Sequence, residues 1–516
     1  MARMVGEAEL TSLRFSRMRF YIRLAVAFLI IVGAFILLVP FARPTRKLHG
    51  FILSENEPVP GANVRFQGQI LNVLSKSDGA FVLPVLHDSS KRITASKEGF
   101  FIESSPADAD PLIVNLTPLP TRDNENYKWV EPTPALARPQ NCGNCHREIY
   151  EEWHASGHAG SSTNRRFLNL LDGSDWQGKA HVGWSLRDDH PDGVGVCNGC
   201  HAPTAPFDAD LRTLAGDAAH GVHCDFCHKI AKASTERIGF THGRYGLELL
   251  RPRHGQIFFG PLDDVDRGED SYSPLYHESR YCASCHEGVV FGVPVYTTYS
   301  EWLESPARKE GKQCQTCHMM PTGKMTNIAP GKGGMERDPI SLGNHRFFAS
   351  SQIEMLRRCL QVSAEATFSA DSVAASVRVS ADDVGHRVPT GFVDRNLLLV
   401  VEAFGPNESS IPPFRGPTIP SFASTEWTGK AGKVYAKRLT DSDGKGPVPF
   451  WRAKPEVEDN RLIPGQADTI RWRFPTGVRH LRVHLIYRHF WPETVKTKGW
   501  PQDDFTVFDR VISVSP

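Results

Sequence analysis

The strongest apolar signal lies near the start of the chain. Leu24–Phe41, LAVAFLIIVGAFILLVPF, runs 18 residues without a charge. That is close to the minimum length for a helix that crosses a bilayer. Arg3, Arg14, Arg17, Arg19 and Arg23 precede the run, and Arg43, Arg46 and Lys47 follow it. The heavier basic load on the N-terminal side favours a cytoplasmic N-terminus. The pattern therefore predicts a cytoplasmic tail over 1–20 and a transmembrane anchor over 21–41. It predicts single-pass residence in the cytoplasmic membrane, with everything downstream in the periplasm. A cleaved secretory signal is the alternative, but Pro40 and Phe41 stand where its small-residue cleavage site belongs.

The pattern changes after the anchor. Over 49–118, short apolar stretches (Phe51–Leu53, Ala62–Phe66, Ala80–Leu86, Leu112–Leu116) alternate with Pro, Gly and Asp-Gly turn signals. Asp78-Gly79 is the best hairpin cue. A small β-sandwich is expected there. Residues 119–140 are polar and carry Pro120, Pro132, Pro134 and Pro139, the composition of a semi-extended linker. Residues 141–348 show weak periodicity and many glycines, so a mainly α and irregular domain is expected, with a core not made of side chains alone. Over 351–361, Ser351 and Glu354 form a capping box, and Ile353, Leu356 and Leu360 share a helical face. Beyond it, Ser372–Val379 and Leu397–Phe404 read as strands, and Leu481, Val483 and Leu485 alternate with His480, Arg482 and His484. Residues 349–516 are thus expected to be a helix followed by a larger C-terminal β-sandwich, in a multidomain protein.

Composition narrows the function. Lys+Arg (59) and Asp+Glu (58) balance to +1, which leaves no basic excess for gripping nucleic acid. Eleven cysteines matter more, because ten fall into one repeated pattern. CxxCH occurs five times: Cys142/Cys145/His146, Cys197/Cys200/His201, Cys224/Cys227/His228, Cys282/Cys285/His286 and Cys314/Cys317/His318. This is the attachment signature of haem c. The two thiols bond the two vinyl groups of one haem, and the following histidine ligates the iron. Zinc knuckles use paired CxxC, but they do not need a histidine after every second cysteine. Disulfides suit an exported chain, but they do not explain five histidines in register. Five covalently bound haem c groups are therefore expected. Cys359 is left over, on the helical stripe, as a buried thiol. Haem propionates need basic partners, and Arg165, Arg166, Arg251 and Arg253 are candidates.

Function then depends on the sixth iron position. A second histidine closes a haem and makes it an electron carrier, whereas an open position allows chemistry. Sixteen of the 21 histidines remain after the motifs are counted. That is more than the five that a fully bis-histidine set requires.

Cys142–Gly160, CGNCHREIYEEWHASGHAG, resembles the opening of the multihaem cytochrome family that includes the electron-accepting partner of hydroxylamine oxidoreductase. GVHCDFCHKI, YCASCHEGVVFG, KQCQTCHMMPTG, NHRFF and GHRVPTG are similar to segments of the same broad family. The resemblance spans 141–516. It implies that His158, the last residue of the W-x-x-S-x-H pattern with Trp153 and Ser156, ligates a neighbouring haem. His345, His277, His220 and His386 follow as further distal candidates, with His154, His190, His223 and His254 in reserve. PVPGANVRF followed by SKSDGAFVLPVL resembles the carboxypeptidase regulatory-like β module, which implies a spacer or docking role over 49–118. No CxxCK is present, so the lysine-ligated haem of pentahaem nitrite reductases is not expected.

The reading that results is a membrane-anchored pentahaem cytochrome c with mostly bis-histidine haems. It would relay electrons between other cytochromes or a quinol-oxidising complex and further redox partners, as an electron-transfer protein rather than a catalyst. The alternative is a reductase or oxidase of a small nitrogen or sulfur compound at one five-coordinate haem. Its acid–base group would be His223, His242, Tyr272 or Tyr281.

Overall fold

The computed structural model describes residues 46–85, 91–192, 195–349 and 353–514. The chain divides into two compact units. One comprises residues up to 93 with 104–115, and the other comprises 94–103 with 116–516.

The first unit is built around strand Arg46–Ser54. It pairs antiparallel with Ala80–Val85 and with Glu57–Pro58, and parallel with Leu112–Asn115. Its side chains alternate, so Leu48 and Ile52 are buried with Phe81, Leu83, Leu112 and Val114. Gly50 is required at the crossing, because a Cβ there would lie 2.3 Å from the Leu112 carbonyl oxygen. The Asp78-Gly79 turn forms as the sequence suggests. Gly79 takes φ +78°, and Asp78 Oδ1 accepts from the Ala80 N–H.

The second unit ends in a β-sandwich. One sheet runs Leu360–Phe368, Ser372–Ala381, Ala467–Pro475, all antiparallel. The other runs Glu458–Asp459, Ala431–Arg438, Asn396–Phe404, His480–Arg488, Phe505–Ser513. Strand Asn396–Phe404 reads NLLLVVEAF because both its faces are covered. Leu397, Leu399 and Val401 enter the inter-sheet core with Val377, Trp472 and Val483. Leu398 and Val400 pack outward against Ile419, Ile486 and Trp491. The helix before the sandwich is Ile353–Cys359, and Leu360 already belongs to the first strand. The expected helix therefore ends earlier, because the β-branched alternation beyond Leu360 pairs with Ser372–Ala381. Ser351 of the expected capping box lies outside the described residues.

Between these parts, 141–348 forms helices of three to eight residues and two-stranded sheets. Its apolar groups are small and separate, such as Phe226–Ile230–Ala233–Leu275 and Ala283–Tyr299–Trp302. Residues 119–140 carry no helix or strand, yet they are fastened. Asp123 pairs with Arg251, and the Tyr127 hydroxyl and the Val130 N–H both donate to Asp225.

The expected fold class needs correction. No helix among the described residues is long and apolar enough to cross a membrane. The run Leu24–Phe41 lies outside the described residues, and the described architecture contains no transmembrane helix. The single-pass membrane placement inferred from that run is overturned with it. The longest described helices have eight residues, and their apolar faces pack on neighbouring loops.

Candidate functional site

Each CxxCH motif sits on a short helical turn. Helical spacing puts the two thiols, three residues apart, on one face and the histidine beside them. The third motif shows the geometry: Cys224–Cys227 is one turn, and the His228 N–H donates to the Cys224 carbonyl at 2.9 Å.

Four of the five motif histidines are held the same way. Nδ1 of His146 bonds the Ile328 carbonyl at 2.8 Å, His201 the Ser161 carbonyl at 2.9 Å, and His228 the Phe259 carbonyl at 2.6 Å. His318 Nδ1 bonds the Phe348 carbonyl. A carbonyl can only accept, so Nδ1 carries the hydrogen and the Nε2 lone pair stays free. That is the tautomer a metal ligand requires. Burial pushes all five rings below the ordinary histidine range, His286 to about 3. They are neutral, which is the ligating form.

The motifs converge. The Cys142 thiol lies beside the Cys224 thiol, Cys200 beside Cys285, and Cys282 beside Cys314. Both thiols of the fourth motif therefore meet a thiol from another motif. All eleven cysteines are free. Among the described residues no three His, Cys, Asp or Glu side chains form a metal cage.

Two distal candidates face motif histidines directly. The His158 and His286 rings have centroids 6.2 Å apart with planes at 70°. His386 and His318 are also 6.2 Å apart, with planes at 20°. With a metal–nitrogen bond of about 2.0 Å and roughly 1.1 Å more to each ring centre, two imidazoles on opposite sides of one iron lie about 6.2 Å apart, centre to centre. Both pairs thus have room for an iron between them. The His386 Nδ1 bonds the Arg387 carbonyl at 3.0 Å, so its Nε2 is free as well. Burial pushes His158 and His386 down to about 4.

The other candidates fall in different places. His345 is buried and pushed down to about 3 by burial and by the nearby His228 and His146. Its backbone N–H is anchored on Glu152 at 2.8 Å, and its Nδ1 has no partner among the described residues. His220 sits edge-on to Trp153 at 6.5 Å. His277 is exposed, with Nε2 3.4 Å from the Pro261 carbonyl, and no motif ring contacts it. His223, a reserve candidate by sequence, has a more prominent place in the structure. It is fully buried, and neither ring nitrogen has a partner among the described residues. The sequence signal was its position directly before Cys224. Of the candidate propionate partners, Arg251 and Arg166 are already paired, with Asp123 and Asp503. Tyr281 donates to the Cys227 carbonyl at 3.0 Å and is buried, which raises its pKa. Cys359 is half-buried, with its thiol near the Asp383 carbonyl.

No family model matches the chain, and no curated protein does. Among solved structures the chain is similar to a penta-haem cytochrome c552 from Thermochromatium tepidum, with a TM-score of 0.53 and 21% identity. The match covers 72% of this chain and 97% of that one. The likeness is one of fold: the chain folds in the manner of a multihaem cytochrome c.

Proposed function

We propose that this protein is a pentahaem c-type cytochrome that relays electrons between redox proteins, with most of its haems closed by two histidines. The observation that carries the reading is the pair of opposed rings, His158 with His286 and His386 with His318, each at the separation of two imidazoles sharing one iron. Cys142, Cys145, Cys197, Cys200, Cys224, Cys227, Cys282, Cys285, Cys314 and Cys317 would hold the five haems. His146, His201, His228, His286 and His318 would be the first axial ligands. When bound, haem iron takes up and gives back single electrons without a bond being made or broken.

The chain's own part in this is orientation and exclusion of water. The backbone carbonyls of Ile328, Ser161, Phe259 and Phe348 fix the proximal rings. Burial keeps the rings neutral. The thiol contacts bring neighbouring attachment points together, with the fourth motif at the centre. His345, close to His228 and His146, is the best distal residue for that end of the molecule. Partners would be other cytochromes or a quinol-oxidising complex. The first unit, with its regulatory-like sequence pattern, would serve as a spacer or docking surface.

One observation favours a second reading for one motif. His201 stacks on Phe167 at 3.7 Å, and no second histidine ring contacts it among the described residues. A reductase or oxidase function would be placed there.

The test is the haem-to-protein ratio by intact mass and pyridine haemochrome, followed by stepwise reduction. Five haems that reduce reversibly, with no ligand needed, support the relay. Fewer than five haems, or a haem that a small nitrogen or sulfur compound binds and then reduces or reoxidises, counts against it.

A further inference from the structure

We infer that Glu301 is the positioning residue that holds His386 over His318. This rests on the haem reading above and goes beyond it. The C-terminal sandwich would then complete the fifth haem site through a buried carboxylate on the haem-domain side.

The geometry converges on one side chain. Glu301 lies on helix Thr298–Glu304, in the segment between the fourth and fifth motifs. Its Oε2 accepts from the Arg387 N–H at 3.1 Å and from the Thr390 hydroxyl at 2.8 Å. These residues flank the turn that starts at His386. Its Oε1 accepts from the Thr297 hydroxyl and, at 2.6 Å, from Arg461 Nη2. Arg461 donates Nη1 to the Pro389 carbonyl at 3.0 Å, on the same turn, and is paired with Asp459. The Glu301 and Arg461 side chains are 7% and 4% exposed. The turn also packs directly on the helix. A Cβ on Gly385 would meet the Trp302 ring at 3.2 Å, and the Thr298 and Thr390 hydroxyls are 3.0 Å apart.

Ordinary core packing would need none of these charges. Glu301 accepts donors from both ends of the turn that follows His386, Arg387 and Thr390, and Arg461 restrains the carbonyl of Pro389 in between. With Nδ1 tied to its neighbour's carbonyl, the His386 ring has little freedom left and keeps its Nε2 unprotonated, with 6.2 Å between its centre and that of the His318 ring. A buried carboxylate with one backbone N–H, two hydroxyls and a guanidinium as donors is a rigid mount, because losing any partner leaves a buried polar group unpaired.

The experiment uses the full-length holoprotein and electron paramagnetic resonance of the oxidised state. His386→Gly first identifies the low-spin signal of the fifth haem, and added imidazole should restore it. Glu301→Ala is expected to cut that same signal at least twofold. A high-spin signal should replace it, the haem count should stay unchanged, and free imidazole should restore the low-spin form. Thr390→Val, which removes one donor without stranding a charge, should shift the signal without abolishing it. If Glu301→Ala folds with its full haem count and leaves the signal unchanged, the inference fails. If Glu301→Ala does not fold, an unchanged signal in Thr390→Val has the same force. A wild-type protein without low-spin haem would instead overturn the haem reading itself, so the two failures are distinguishable.

Discussion

Replacing Lys229 with methionine should be among the most damaging single changes in the motif region. Lys229 and Asp225 are both completely buried and form an ion pair one helical turn apart. Asp225 lies inside the third motif, between Cys224 and Cys227. It also receives the Tyr127 hydroxyl at 2.9 Å and the Val130 N–H at 2.8 Å, which ties residues 119–140 to that motif. Lys229 Nζ sits 4.0 Å from the centre of the Phe258 ring. Burial pulls the Lys229 pKa down, and the pairing with Asp225 opposes that. Methionine would fill most of the volume but leave a buried carboxylate with two neutral donors. Breaking a buried pair on one side costs about 3–5 kcal/mol. Against a typical total of about 5–15 kcal/mol, that is a large fraction. The double variant Asp225→Asn/Lys229→Met removes both charges and should cost clearly less than the single one. Guanidinium unfolding of the holoproteins, followed by far-ultraviolet circular dichroism, measures both. A single-variant loss under about 1 kcal/mol, or a double variant worse than the single, would refute the reasoning.

Two other predictions concern separate parts of the second unit. Burial pushes Asp394 up to about 7 from 3.8. The folded protein therefore binds a proton that the unfolded chain has released, and stability should fall as pH rises from about 4 through about 7. Asp394→Asn should remove that slope and be the more stable protein above neutrality, by up to about 4 kcal/mol, as urea midpoints at about pH 5 and about pH 8 would show. Gly243 has φ +55°, and a Cβ there would lie 2.1 Å from the backbone of Gly199 inside the second motif. Gly243→Ala should lower the haem load by one per chain, readable by intact mass, and a full load would contradict that placement.

The attachment sites were legible because their chemistry is local. Two thiols and a histidine within five residues define each site without the fold. The proposed distal ligands were not, because tertiary structure alone brings each beside a motif histidine. His158 meets His286 from a loop near the first motif, and His386 meets His318 from a turn of the sandwich. Sequence resemblance favoured His158 and offered His386 and His277 only as further candidates, and of these two the fold buries His386 beside His318 and leaves His277 exposed. The sandwich strands could be read from their alternation. The start of the first one could not, since Leu360 fits a helical stripe as well as a strand and only pairing with Ala381 decides it. Residues 119–140 look like a linker by composition, yet Asp225 and Arg251 fasten them. The membrane element inferred from Leu24–Phe41 has no counterpart among the described helices.

The central claim, that paired histidines close the irons, is tested most directly by the electron paramagnetic resonance spectrum of the oxidised protein with haem counted alongside. Relay through paired histidines requires mostly low-spin ferric signals. Two of them should differ in kind: a rhombic one from the near-parallel His318 and His386 planes, and a strongly anisotropic one from the crossed His158 and His286 planes. A spectrum dominated by high-spin haem that changes on adding nitrite or hydroxylamine would contradict the relay and make the protein an enzyme.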